Sequence, residues 1–219
     1  MLQPLQAGRR LGEEFSYDLK GEIWEQRLSY ASPTLQLGET ALGLAGPHQG
    51  ANAAVAIAVA ESCQGQFPRL DTAAITAGLA TVRWPGRLER VLEAPPVIMD
   101  AAHNAAGTRR LAETVGTCVV VLAVAGDKDA GAMVEALAPI ASPLILTQFS
   151  GDRALSVEHL SAAAGACPHQ TIPRLSDAIA QGMAIATPEK PLLITGSLYL
   201  AGEARQLLMA EYGARPLQF

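Results

Sequence analysis

From residue 97 to residue 212 the chain alternates short apolar runs with windows of helical character, and few folds accept that order. The runs fall at 97–99 (VIM), 118–125 (CVVVLAVA), 143–147 (PLILT), 170–172 (QTI) and 191–195 (PLLIT). Between and after them lie helical windows at about 105–116, 129–140, 156–166, 175–187 and 198–212. Strands separated by helices of roughly 10–15 residues make βαβ units, hence a mostly parallel sheet with helices on both faces. Residues 84–219 are therefore expected to form one doubly wound α/β domain of five or six strands. The longest apolar run, 118–125, is strand length, far below the roughly 18 residues of a membrane span.

The residues ahead of this pattern read differently. Residues 9–46 look like short strands and turns: Trp24, Gln26, Leu28 and Tyr30 alternate with their neighbours, and glycines at 21, 38, 43 and 46 punctuate the segment. The alanine-rich stretch 51–63 reads as a buried helix. Residues 71–80 read as a second helix with Asp71 as N-cap. Arg83-Trp84-Pro85-Gly86 then breaks the chain, which sets the expected boundary between segments 1–83 and 84–219. The first segment is short for an independent domain, which suggests that a part upstream of it is missing.

Composition removes several function classes. Hydrophobic residues make up 49% of the 219, enough for a sizeable core. The chain carries 16 Lys+Arg against 21 Asp+Glu, a net charge of -5, and its three lysines, Lys20, Lys128 and Lys190, are scattered. Phosphate neutralisation needs a basic stripe, so a nucleic-acid binder is not expected. The N-terminus MLQPLQAGRRLGEEF lacks the apolar region of a secretory signal. Cys63, Cys118 and Cys167 are odd in number and far apart, so a disulfide framework or zinc ribbon is unsupported; buried free thiols in a reducing cytoplasm are expected. No two glycines are separated by one residue, no lysine follows a glycine, and neither HExxH nor GxSxG occurs. The dinucleotide fingerprint, the P-loop, the zincin helix and the hydrolase elbow are thus all absent.

Open α/β sheets bind ligands outside the carboxyl ends of their strands. Four segments with unusual polar residues fall there: WPGRLE (84–89), MDAAHNAAG (99–107), AGDKD (125–129) and ITGSLYLAGE (194–203). Each also has a plain structural reading. Arg87 would be a solvated side chain in an interdomain strand, and Asp100, His103 and Asn104 would be helix-start and N-cap residues. Asp127-Lys128-Asp129 would be a charged turn before a cap, and Gly196-Ser197 an ordinary helix start. Together the four offer cations, a carboxylate and helix N-termini, which suit a phosphate, an α-carboxylate or a ribose.

In order, PHQGANAAVAIA (47–58), WPGRLE (84–89), VIMDAAHNAAG (97–107), AVAGDKDAGAMVEALAP (123–139) and LLITGSLYLAGE (192–203) resemble the C-terminal half of the folylpolyglutamate synthase/dihydrofolate synthase family, part of the Mur ligase superfamily. Its pattern is roughly HQxxNA, PGRxE, DGAHNP, GxxxDKD and GSLY. Ala101 stands where the family usually has Gly, and Ala105 where it has Pro. The resemblance runs from about residue 9 to residue 205. It implies that residues 1–83 are the last part of a central ATPase domain and residues 84–219 the glutamate-ligase domain. The P-loop and the magnesium ligands would lie upstream.

The implied reaction is ATP-dependent. A carboxylate of dihydropteroate or of a folate is phosphorylated, and the amino group of L-glutamate attacks the acyl phosphate. Carried over by position, Asn52 would sit on the adenine, Arg87 on the phosphates and Asp100 on the ribose hydroxyls. His103 would stand beside the reacting groups, Lys128 would bind substrate, and Ser197 would hold the incoming amino acid. The implied cofactors are ATP and Mg2+, the implied partners small molecules only, and the implied state a cytoplasmic monomer. Two other readings remain: a free-standing module of the same fold that binds nucleotide or amino acid without catalysis, and an unrelated α/β binding protein or structural subunit, which the ordered motifs disfavour.

Overall fold

The computed structural model describes residues 9–214 and 216. Residues 1–8 of the expected first segment, and residues 215 and 217–219 of the second, lie outside the described residues. The chain divides into two compact units, one ending at Trp84 and one beginning at Pro85.

In the first unit, β1 (Ser16–Lys20), β2 (Arg27–Ala31) and β3 (Gln36–Ala41) form an antiparallel meander. Alternation puts Leu28 and Tyr30 on one face, where they pack with Ala53, Ala54, Ile57 and Ala58 of α1 (His48–Cys63) and Ile75 of α2 (Thr72–Thr81). The Asp71 carboxylate caps α2, accepting from the Ala74 N–H at 2.8 Å. Helix α1 starts at His48, ahead of the alanine run. It is buried on one face only: Val55 and Val59 are 49% and 59% exposed. The expectation of a buried helix fails there because a segment apolar almost all round carries no periodic signal of which face turns inward.

One carboxylate knits this unit together. Glu61 of α1 accepts from the Arg9 guanidinium at 2.7 Å, Tyr30 Oη at 2.9 Å, Ser32 Oγ at 2.6 Å and Thr34 Oγ1. Burial alone would push the Glu61 carboxyl up. The hydrogen bonds from Ser32, Thr34, Arg9 and Tyr30 outweigh it and hold the group at about 2.

The second unit is a doubly wound α/β domain. Its sheet contains β4 (Glu89–Glu93), β5 (Pro96–Asp100), β6 (Cys118–Leu122), β7 (Ala141–Leu146), β8 (Gln170–Thr171) and β9 (Leu192–Thr195), in the order β4-β5-β9-β6-β7-β8. All neighbours are parallel except β4 and β5. Strand β4 lies outside the five apolar runs because it is an edge strand, and edge strands carry charge to block further pairing: here Glu89, Arg90 and Glu93.

Strand residues divide between two faces. Val97, Met99, Val119, Val121, Ile145, Leu192 and Ile194 form one core with α6 (Leu175–Ile185) and α7 (Leu198–Tyr212). The alternate positions, Ile98, Val120, Leu122, Leu144, Leu146 and Leu193, are equally buried on the opposite face. That side belongs to α3 (Ala105–Thr114), α4 (Ala130–Leu137) and α5 (Val157–Ala164), whose Leu111, Met133, Leu137 and Leu160 are also buried. Cys118 is fully buried, which pushes its thiol up to about 11. Cys63 and Cys167 are only partly buried, so the expectation of buried thiols holds for one of three. Among the described residues no helix is long and apolar enough to cross a membrane.

Candidate active site

The order β5-β9-β6 fixes the site. Asp100, Thr195 and Leu122 lie level at the carboxyl ends of these three parallel strands. After β5 and β6 the chain turns to one face of the sheet, into α3 and α4. After β9 it turns to the other, into α7. Both sides of β9 are therefore points where the winding reverses, the place where such sheets open a crevice for ligands.

Gly196 makes the turn out of β9. Its φ is 118°, and a Cβ there would run into the Ala123 carbonyl and the Leu122 side chain, so only glycine lets α7 start this close to β6. Ser197 then caps α7: it is 2% exposed, and its Oγ accepts from the Tyr199 N–H at 3.1 Å.

Asp100 fastens a second loop. Its carboxylate accepts from the Leu88 N–H at 2.9 Å and from the Ala102 N–H at 2.8 Å. The Ala101 N–H donates to the Gly86 carbonyl at 2.7 Å, and the Gly86 N–H donates to Glu89 at 2.8 Å. Glu89 is also paired with the Arg205 guanidinium of α7. These contacts hold Leu88 buried at φ 42°, a conformation that side chains with a Cβ rarely adopt. Arg87 is thus presented to solvent between two pinned residues, and among the described residues it pairs with no carboxylate.

His103 is exposed, and its Nδ1 donates to the Ala101 carbonyl at 3.0 Å, leaving Nε2 as the outward atom. Asn104 is the N-cap of α3, accepting from the Gly107 N–H at 2.8 Å. After β6, Lys128 Nζ pairs with Asp127 at 2.7 Å, and Asp129 caps α4. Hydrogen bonding from Lys128 is the largest cause holding the exposed Asp127 carboxyl below its usual range.

Arg87, Asp100, His103, Lys128 and Ser197 therefore share one edge of one sheet. Asn52 belongs to the first unit, in the second turn of α1, where its Nδ2 donates to Gln49 Oε1 at 3.0 Å. Gln49 is buried and in turn meets His48 Nε2 at 3.0 Å. Among the described residues no group of three or more His, Cys, Asp or Glu is arranged to hold a metal ion.

Two features escaped the sequence reading. Arg205 braces the Arg87 loop, and the signal was a charge inside the buried stripe of α7 formed by Leu200, Ala201, Ala204 and Leu208. Arg153, in the loop after β7, stands over the first turn of α7, and no local pattern marks it.

A doubly wound sheet with its switch points beside β9 is a ligand-binding architecture. Residues 86–198 match the family described as Mur ligase, glutamate ligase domain, and the chain belongs to that family. It is 39% identical over 191 residues to a dihydrofolate synthase/folylpolyglutamate synthase of Mycobacterium tuberculosis, covering 76% of this chain and 39% of the relative. It is 32% identical over 197 residues to the folylpolyglutamate synthase of Lacticaseibacillus casei, covering 85% and 44%. The structure of the Mycobacterium tuberculosis folylpolyglutamate synthase complexed with ADP superposes with a TM-score of 0.80 at 34% identity, over 95% of this chain and 50% of that one. The chain thus spans about half the length of the proteins it matches. The resemblance drawn from the five motifs holds.

Proposed function

We propose that this chain supplies the amino-acid-adding half of an ATP-dependent ligase that joins L-glutamate to dihydropteroate or to a folate. The observation that carries this reading is the Arg87 loop. Arg87, exposed and without a carboxylate partner among the described residues, is carried on backbone pinned on both sides, at Leu88 through Asp100 and at Gly86 through Glu89–Arg205, at the edge where such sheets bind ligands.

In this reading the substrate carboxylate takes the γ-phosphoryl group of ATP, with ADP as leaving group. The glutamate nitrogen then adds to the acyl phosphate carbon, and the tetrahedral intermediate collapses with loss of phosphate. Arg87 follows the charge on the transferring phosphoryl group, from a backbone position that its loop holds fixed. Asp100 accepts from the ribose hydroxyls, and Asn52, from the first unit, contacts the adenine. His103, with Nε2 outward, sits beside the reacting groups. Lys128 and the α7 N-terminus at Ser197 receive the amino acid. Mg2+ and the β- and γ-phosphates would be held by groups other than those described here, residues 1–83 being the end of a central ATPase domain. A cytoplasmic monomer acting on small molecules alone completes the proposal.

For the 219-residue chain by itself we expect no turnover and a nucleotide affinity of about 1 mM or weaker, because one-sided contacts bury little ligand surface. Calorimetry with ATP and magnesium, beside a phosphate-release assay with dihydropteroate, folate and glutamate, tests this. Turnover by this chain would show the catalytic machinery to be misplaced. Reading the coding sequence upstream for a Gly-Lys-Ser/Thr loop separates a ligase half from a free-standing binding module of the same fold. The longer product, if it exists, should then ligate glutamate.

A further inference from the structure

Arg153 belongs to none of the motif segments, yet the fold holds it beside two of them. The loop between β7 and α5 lies antiparallel on the turn after β6. The Gly126 N–H donates to the Arg153 carbonyl at 2.9 Å, the Leu155 N–H donates to Val124 at 2.9 Å, and Ala125 bridges Ala154. The same loop is tied to α7, where Ser150 donates from its N–H and its Oγ to Glu203 at 2.7 and 3.1 Å. The Arg153 guanidinium lies over the Tyr199 ring, 5.6 Å from its centroid, and Tyr199 stacks on Phe149 at 5.6 Å and 17°. Tyr199 is two residues beyond Ser197 and is bonded to it. Arg153 thus stands between the Asp127-Lys128 turn and the start of α7, and its charge adds, behind that of Lys128, to the lowering of the Asp127 carboxyl.

The local charges are unequal. Lys128 is already answered by Asp127. Arg153 is exposed and makes no ion pair among the described residues. A guanidinium held over a ring can still offer its N–H groups, which take a carboxylate with two parallel hydrogen bonds. The N-terminus of α7 adds a further positive end.

We propose that Arg153 is a specificity-determining residue that holds the side-chain carboxylate of a dicarboxylic amino acid whose backbone end lies at Ser197 and Lys128. The proposal rests on the amino-acid reading of those two residues above. A neutral amide offers one acceptor and no charge, so the residue selects glutamate over glutamine.

The test is a 15N-resolved titration of the 219-residue chain with L-glutamate and with L-glutamine, for the wild type, Arg153→Met and Arg153→Gln. The amides of residues 126–128 and 197–199 are followed. The wild type should prefer glutamate by roughly 10- to 100-fold, the worth of a charge-assisted pair. Both variants should lose that preference and keep the glutamine affinity, and the rest of their spectra should be unchanged. A preference that survives in both variants overturns the role of Arg153 alone. Failure of either amino acid to shift these amides in the wild type overturns the amino-acid site itself, and the role of Arg153 with it.

Discussion

Glu61 in the first unit and Asp100 in the second are both carboxylates gripped by several donors, and the grips differ in kind. Among the described residues the donors on Glu61 are side chains, brought from Arg9, Tyr30, Ser32 and Thr34, and the Glu61 side chain is only 6% exposed. Such a cluster is closed: it joins three stretches of chain and has no opening for a ligand. The hydrogen bonds to Asp100 from Leu88 and Ala102 come from backbone N–H groups of two loops, at the edge of the sheet. Loop backbone thus ties this carboxylate to the segments on either side of it. The Glu61 cluster should therefore matter to stability, and the Asp100 contacts to how their loops are presented.

The strongest way to break this contrast is Arg87→Ala. An interaction with developing phosphoryl charge acts in the transition state. In a ligase containing this chain, kcat should fall by roughly 10²–10³, the scale for one lost electrostatic donor. The unfolding free energy should move by less than about 0.5 kcal/mol, because the side chain is exposed. Arg87→Lys should rescue poorly, since a point charge lacks the planar fork. Unchanged kcat with a raised KM for glutamate would move Arg87 to the amino-acid end; a large loss of stability would erase the distinction between the two clusters.

Next in size is Glu61→Ala. It orphans the Tyr30, Ser32 and Arg9 donors together and should cost the first unit about 3 kcal/mol. Both tryptophans, Trp24 and Trp84, precede Pro85, so their emission in a denaturant titration reports the first unit. Amide exchange at the fully buried residues 119–122 reports the second, which should not change. Equal losses in both units would contradict the division.

Acid probes the same cluster more gently. The folded pKa of Glu61, about 2, lies below its ordinary value of 4.5. A depressed carboxyl stabilises the fold fully above the unfolded value and loses that contribution as pH falls toward the folded one. Between pH 4.5 and pH 2 the first unit should lose about 2–3 kcal/mol that a Glu61→Gln variant does not lose. Parallel acid curves for the two proteins would show that Glu61 is not the group responsible.

Much of this contrast was legible in the sequence, and unevenly so. Local signals found the parallel domain: apolar runs marked β5, β6, β7, β8 and β9, and Asp71 marked the start of α2. They did not delimit β4, because Glu89, Arg90 and Glu93 leave it no apolar run. The Asp100 loop was visible because its residues are neighbours in a short motif. The Glu61 cluster was not, because its donors come from residues 9 to 34 and nothing local links them to position 61. Arg205 and Arg153 stayed hidden for the same reason: each acts on a residue more than 40 positions away.

The smallest effect sharpens the comparison through two helix caps of like chemistry. Asp71 and Asn104 each accept from the backbone N–H three residues on, at 2.8 Å in both cases, one in each unit. Replacement of either by Ala should cost its own unit about 1 kcal/mol, the usual worth of a cap. Serine should recover most of that at both positions, because its hydroxyl also accepts from the first turn. The difference should lie in binding. Asn104 stands next to His103 on the edge that carries Arg87 and Asp100, whereas Asp71 heads a helix that carries none of the proposed ligand contacts. Asp71→Ser should leave nucleotide titration shifts as they were. If Asn104→Ser restores stability but weakens those shifts, Asn104 contributes to the site beyond capping α3. If stability and shifts recover together, the cap is its whole role, and the site ends at His103.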